Sequence, residues 1–327
     1  MATWDRNSTT DDVLAGLDLS GRRVMITGAA SGLGKESARA LAARGASVTV
    51  LARSEERARS AVGELEELVP GGRCSPGVVD LADLSSIRAF TDTWLDGHDA
   101  FDVLINNAGV MATPYSLTVD GFETQFGTNH LGHFLLTARL APALLRGDDP
   151  RVVTLSSVGH ARADVDLVDW NFATTPYDAW VAYGRSKSAN ALFARELARR
   201  AGSDRLLSFS VHPGGIITDL GRHLTEDLMN DMMRMMADRA TAAEAAGQGP
   251  GEPFSFKSVQ AGAATQVWAA TATGLAGQNG AYLADCGPGV PGASPDANGF
   301  ESWIVDDGRA RRLWELSEEL VSEAFPI

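Results

Sequence analysis

Arg23-Val24-Met25-Ile26-Thr27-Gly28-Ala29-Ala30-Ser31-Gly32-Leu33-Gly34 runs from a short apolar, β-branched segment into three glycines spaced Gly-x-x-x-Gly-x-Gly, and a helical pattern then continues to Arg44. A strand, a glycine turn and a helix in that order place backbone amides where they can meet an anion. Glycine lets the backbone come close, and the first amides of a helix, at the positive end of its dipole, are free to donate. A pyrophosphate is the ligand this arrangement suits. The spacing differs from the commoner dinucleotide fingerprint Gly-x-Gly-x-x-Gly, and the motif alone leaves open a glycine-rich turn with no ligand.

Outward from this stretch, short β-branched runs alternate with longer helical patterns. Strands are predicted at Arg23–Thr27, Ser47–Leu51, Ser75–Val79, Val103–Asn106, Arg151–Ser156, Leu206–His212 and Gly280–Ala284. Helices are predicted at Gly34–Arg44, Glu55–Leu68, Leu84–Leu95, Gly121–Leu145 and Tyr183–Ala201. Strands apolar on both sides and separated by helices imply a parallel sheet covered on both faces, because parallel strands need crossovers. The expected fold class is α/β, a Rossmann-type doubly wound parallel sheet of about seven strands with helices on both faces. Residues 1–20 read as an N-terminal arm with one short helix, capped from Thr9-Thr10-Asp11-Asp12 and striped by Val13, Leu14 and Leu17. Residues 21–327 read as one domain, with a substrate lid over about 219–256.

The 28 Lys and Arg against 42 Asp and Glu leave a formal charge of −14, which repels nucleic acid and anionic membrane surfaces. An anionic ligand therefore needs a local site. No apolar run approaches the roughly 20 residues of a spanning helix, and Met1-Ala2-Thr3-Trp4-Asp5-Arg6 lacks the pattern of a signal peptide. A cytoplasmic location without membrane contact is expected. Cys74 and Cys286 stand far apart and without partners at metal-ligand spacing, so both are expected to be reduced and structural. His130 and His133 lie three apart with no carboxylate or cysteine nearby to complete a metal site, and no metal is expected.

After the second strand, Leu51-Ala52-Arg53-Ser54 carries no acid where an NAD site would hold the ribose 2′-hydroxyl. It offers the Arg53 guanidinium and the Ser54 hydroxyl instead, which suit the 2′-phosphate of NADP. NADP is the expected cofactor and NAD the alternative, since Glu55 and Glu56 can compete for Arg53. Asp80-Leu81 can meet an adenine edge, and Asp80 can equally cap the helix near Leu84. Asn106-Asn107-Ala108-Gly109 ends the fourth strand, where an amide can tie neighbouring strands and small residues leave room for a ribose. In Tyr183-Gly184-Arg185-Ser186-Lys187 the phenol and the ammonium are four apart on one helix face, so the cation favours the phenolate. A phenol starts near pKa 10 in water, and the neighbouring cation together with the positive charge of an oxidised nicotinamide lowers that toward working pH, which makes it a usable acid and base. Ser156-Ser157 ends the fifth strand, where a hydroxyl can bind a substrate oxygen. Asn129 can hold a water linking Lys187 to solvent, or simply satisfy a local backbone group.

Taken together, Thr27–Gly34, Asn106–Gly109, Asn129-His130-Leu131-Gly132-His133-Phe134, Ser156-Ser157, Ala182 to Asn190 and His212-Pro213-Gly214 resemble the short-chain dehydrogenase/reductase family, and within it the retinol-dehydrogenase-like branch, across roughly residues 18–220. The resemblance implies a catalytic set of Asn129, Ser157, Tyr183 and Lys187, with Ser157 rather than Ser156 on the substrate. It implies that Thr27, Gly28, Ser31, Gly32, Leu33, Gly34, Arg53, Ser54, Asp80, Leu81, Asn107, Ala108, Gly109, Pro213, Gly214, Ile216 and Thr218 line the cofactor beside Tyr183 and Lys187. A homodimer or homotetramer paired through the helices carrying Asn129 and Tyr183 is a further implication. Gly215-Ile216-Ile217-Thr218 departs from what usually follows Pro-Gly in retinol dehydrogenases, which leaves retinol itself open as substrate.

The implied activity is hydride transfer between nicotinamide and a carbonyl/alcohol pair of a small apolar molecule. The alternatives are a non-catalytic NADP-binding sensor or scaffold, which would not need the complete tetrad, and a C=C reductase. Substrate choice is expected after Asp219, where Leu228-Met229-Asn230-Asp231-Met232-Met233-Arg234-Met235-Met236 is rich in methionine. Flexible thioethers can line an apolar ligand or fill core space, and periodicity does not separate the two. Ala245–Pro253, with Gly247, Gly249, Pro250 and Gly251, is expected to hinge this lid.

Overall fold

Strand β1 (Arg23–Thr27) runs parallel between β2 (Ser47–Ala52) and β4 (Val103–Asn106), with Ile26 level with Val50 on one side and Ile105 on the other. Such a strand is flanked by backbone at both edges and covered on both faces, which is why its residues after Arg23 are apolar or small and fully buried. This computed structural model describes residues 4–245, 255–292 and 298–327. The sheet continues through β3 (Arg73–Val78) on one side and β5 (Arg151–Leu155), β6 (Leu207–His212) and β7 (Tyr282–Ala284) on the other. The order is β3-β2-β1-β4-β5-β6-β7-β8, all parallel except the short β8 (Gly287–Pro288), which folds back antiparallel on β7. The seven expected strands are β1 to β7. The eighth depends on a turn in which Asp285 and Cys286 both have positive φ, 49° and 55°.

Helices α1 (Thr10–Val13), α2 (Gly32–Ala42), α3 (Glu55–Leu68) and α9 (Val259–Thr271) contribute to one buried apolar cluster. Helices α4 (Leu84–Gly97), α6 (Gly132–Leu144), α7 (Ala179–Ala201) and α10 (Asp307–Val321) contribute to a second. The two remaining helices are α5 (Thr124–Phe126) and α8 (Glu226–Ala245). In the arm, Val13, Leu14 and Leu19 are buried, whereas Leu17 is exposed.

Three local differences from the sequence reading bear on the site. The single helix expected over Gly121–Leu145 starts only at Thr124, because Gly121 turns with φ 85° and the Glu123 carboxylate caps the amides of Gln125 and Phe126 at 2.9 and 2.7 Å. Its second part is a wide π turn, Gly127–Leu131, that leads into α6. Helix α7 starts four residues before Tyr183, where Asp178 accepts from the amides of Trp180 and Val181; Tyr183 is therefore held inside a formed helix rather than at a fraying end.

Helix α10 lies against α6 and α7. Trp314 stacks on Phe193 at 5.9 Å and meets Phe134 edge-on at 5.1 Å. Part of the surface through which pairing was expected is thus covered by the chain's own C-terminus. Cys74 and Cys286 are both free thiols.

Candidate active site

The glycine turn is fastened to β4 by hydrogen bonds that start at Thr27. Its Oγ1 accepts from the amides of Asn107 (2.9 Å) and Ala108 (3.0 Å), and Asn107 Nδ2 donates to the Thr27 carbonyl at 2.8 Å. Asn106 performs the tie on the other side, donating to Thr137 (3.1 Å) and Thr154 (3.4 Å). Gly28 has φ 65°, and a Cβ there would sit 2.9 Å from Ala108 Cα. A Cβ on Gly34 would lie 2.5 Å from Asn107 Nδ2, so Gly34 allows α2 to approach this amide. Ser31 caps α2 without a side-chain hydrogen bond. The first amides of that helix are accordingly left for an anion.

A cavity of about 600 Å³ opens at the carboxyl ends of the central strands, where the strand order reverses across β1 and β4 and ligands of such sheets bind. Of the residues expected around it, Gly34, Ser54 and Asn129 do not line it, and the other eighteen do. The Ser54 hydroxyl caps α3, accepting from the Arg57 amide at 3.4 Å. Asp80 lines the cavity and closes a turn on the Ala82 amide at 2.9 Å, while the cap of α4 is Asp83. Glu55 pairs with Arg59 rather than Arg53. Arg57 and Arg222 line the cavity with Arg53. Sequence reasoning passed over both, although Arg57 follows Arg53 by four residues and that spacing was available as a signal.

At the other end, Tyr183 and Lys187 follow one another on one face of α7. The Lys187 ammonium lies 5.7 Å from the centre of the Tyr183 ring and donates to the Leu155 carbonyl at 3.0 Å. The phenol is 4% exposed, and burial pushes its pKa up to about 12, against a smaller opposing pull from the Ser157 hydroxyl. Burial pulls the Lys187 ammonium down to about 8. In the protein by itself burial therefore holds the phenol protonated, whereas the lowering was expected of the ammonium together with the charge of an oxidised nicotinamide.

Ser156 donates to the Lys187 carbonyl at 2.8 Å and is spent on α7, whereas Ser157 accepts from the Gly159 amide at 3.0 Å and turns its hydroxyl to the Tyr183 phenol. Gly159 lies so close under the Tyr183 ring that a Cβ would fall 2.7 Å from Cε1.

Asn129 sits in the π turn. Its Oδ1 accepts from the Val110 amide at 2.8 Å, and its Nδ2 donates to the Val110 carbonyl and Ser186 Oγ, both at 2.9 Å. His133 Nδ1 lies 2.9 Å from the Asn129 carbonyl and so donates to it, which makes Nε2 the acceptor for the Thr27 hydroxyl at 2.9 Å. Burial holds this imidazole neutral by lowering its pKa to about 4. His130 bonds Ser317 at 2.8 Å. Among the described residues no group of His, Cys, Asp and Glu is arranged to hold a metal. His160 lies 2.6 Å from the Ser157 carbonyl, and His212 accepts from the amides of Val158 and Gly214 at 3.3 and 3.4 Å.

Over the catalytic end, Met232 and Met235 pack with Leu224 and Leu228 against Trp180 and Tyr183. Met229, Met232 and Met235 line the cavity, while Met233 is exposed. Trp180 and Met111 join this wall and were not anticipated. The proposed hinge Ala245–Pro253 lies outside the described residues beyond Ala245.

A parallel sheet of this order, with a glycine turn at β1 and a Tyr-x-x-x-Lys pair on α7, belongs to a defined class. The family model for short chain dehydrogenase matches residues 22–229, and this chain is a member of that family. Among its relatives, a protein named "Probable oxidoreductase" from Streptomyces antibioticus is 38% identical over 94% of this chain and 100% of its own length. Retinol dehydrogenase 12 of Homo sapiens is also 38% identical, over 93% of this chain and 88% of its own length. A crystal structure of an uncharacterized protein from Mycobacterium Paratuberculosis superposes with TM-score 0.72 and 35% identity, covering 98% of this chain and 100% of the other. Among the described residues no helix is long and apolar enough to cross a membrane.

Proposed function

We propose that this chain is an NADP-dependent oxidoreductase acting on a carbonyl/alcohol pair of an apolar small molecule. The observation that carries the reading is one cavity walled at one end by the glycine turn and uncapped α2 amides and at the other by Tyr183, Lys187 and Ser157. The pyrophosphate of a dinucleotide fits the α2 amides, and Arg53 fits a 2′-phosphate. A bound nicotinamide supplies the site for hydride transfer to or from the substrate carbon, and its oxidised ring adds a positive charge.

The protein's own groups do the rest. Tyr183 donates its proton to the substrate oxygen during reduction and takes it back during oxidation. Ser157 orients that oxygen by donating a hydrogen bond. Lys187 keeps a cation one helical turn from the phenol, favouring the phenolate left after donation. Asn129 acts by holding the backbone at Val110, at the edge of the cavity. The apolar wall of Trp180, Met229, Met232 and Met235 excludes water and favours an apolar substrate. The likeness to a retinol dehydrogenase supports a hydrophobic alcohol or carbonyl as the class to screen.

In Tyr183→Phe, turnover is expected to fall by at least two to three orders of magnitude, while NADP binding, read by fluorescence titration, stays within about twofold. Unchanged turnover in that variant would remove the mechanism.

A further inference from the structure

We infer that Arg222 completes, with Arg53 and Arg57, a three-arginine site for the cofactor's 2′-phosphate, and that filling this site seats the segment bearing α8 over Tyr183. The inference rests on the NADP reading above and extends it to a residue from the opposite side of the cavity. Arg53 follows β2, and Arg57 lies one helical turn further on, in α3. Arg222 comes from the single turn Asp219–His223 after β6. All three side chains line the same cavity. They are close enough to act on one another: burial and then the charges of Arg53 and Arg57 depress the Arg222 guanidinium, and Asp219 opposes them.

In a protein of net charge −14, three mutually repelling cations collected in one place need an explanation. Among the described residues none of the three is in an ion pair: Glu55 is taken by Arg59, and Arg222 Nη1 donates only to the Asp219 carbonyl at 3.0 Å. A dianion shared by the three would relieve the repulsion and accept forked hydrogen bonds from each guanidinium. The 2′-hydroxyl of NAD would leave the repulsion in place, so discrimination against NAD follows from the same geometry.

The chain that carries Arg222 then runs on through Leu224 to Met229, Met232 and Met235, the apolar wall over the phenol. A phosphate that holds Arg222 therefore also holds that wall in place. By linkage, the 2′-phosphate and an apolar substrate each favour binding of the other, although they sit at opposite ends of the cavity.

The test compares wild type, Arg222→Gln and Arg234→Gln, the last removing an exposed α8 charge paired only with Asp231. NADP+ and NAD+ affinities are measured by calorimetry, and amide exchange over 219–245 is followed with 2′-phospho-ADP-ribose or ADP-ribose, neither of which carries the nicotinamide. Wild type and R234Q are expected to prefer NADP+, with exchange over α8 slowed more by the phosphorylated ligand. R222Q is expected to lose about tenfold in NADP+ affinity, to keep NAD+ affinity within about twofold, and to show equal exchange with both ligands. If wild type prefers NADP+ and R222Q does so equally, the three-arginine site is overturned alone. If wild type exchanges equally with both ligands, the coupling to α8 is overturned. If wild type shows no preference for NADP+, the cofactor reading fails and takes this inference with it.

Discussion

A phenol inside a protein is held between two opposed effects, the loss of water that keeps it protonated and any nearby cation that favours its anion. At Tyr183 the first dominates, and the same burial brings Lys187 down to about 8. Lys187 is thus expected to lose its charge as pH rises through about 8, while burial keeps the Tyr183 phenol protonated past that pH. The kcat/KM for carbonyl reduction is therefore expected to be flat at low pH and to fall as pH rises through about 8. A pH–rate profile checks this, and Lys187→Met, slower by about two orders of magnitude, should lose that limb. Gly159→Ala tests the packing under the ring. Its Cβ would meet Tyr183 Cε1 at 2.7 Å, so the ring or the Ser157 turn must shift, and kcat is expected to fall about tenfold or more with cofactor affinity retained. At this scale much could be read in advance. The glycine turn, the Tyr183 and Lys187 pair and Arg53 are local patterns visible in residue type and spacing, whereas the tetrad as a set, with Ser157 preferred to Ser156, came from the family resemblance. The sign of the Tyr183 shift was not readable, because it depends on how much water the fold removes.

Among elements, α7 and the π turn show where periodicity stops informing. Asp178 caps α7 through two backbone amides, and Asp followed by an apolar helical run is a local signal that marks the start of α7 ahead of Tyr183. The π turn at Gly127–Leu131 has no comparable signal. It exists because Asn129 must meet Val110 and Ser186 while His133 reaches the Asn129 carbonyl and Thr27, and these partners are distant in sequence. Helix α8 presents a different ambiguity, since methionines at helical spacing suit a core or a binding wall equally well. The structure divides them: Met232 and Met235 face Trp180 and Tyr183, while Met233 faces outward. Met232→Glu should accordingly raise KM for apolar substrates about tenfold or more with little effect on Tm. Met233→Glu, on the exposed side of the same helix, should leave both unchanged, as steady-state kinetics and thermal melts would show.

For the molecule as a whole, an aromatic cluster joins the C-terminal helix to segments far away in the sequence. Trp314 is fully buried and touches Phe134, Phe193 and Phe325. Trp314→Ala is expected to cost about 3–5 kcal/mol in urea unfolding and to promote self-association, read by sedimentation, as α10 loosens from α6 and α7. The succession of strands and crossover helices along the chain and the residue types of the reactive groups were determined by the sequence itself, because alternation, glycine spacing and i, i+4 pairing act over a few neighbouring residues. Tertiary structure alone decided which serine turns to α7 and which to the phenol, that Arg222 lines the cavity with Arg53 and Arg57, that α10 covers α6 and α7, and that burial raises the Tyr183 phenol. Each of these depends on groups brought together from different elements, Ser156 with Lys187 across 31 residues and Arg222 with Arg53 across far more, or on water excluded by the assembled fold, and neither is written in any local stretch of chain.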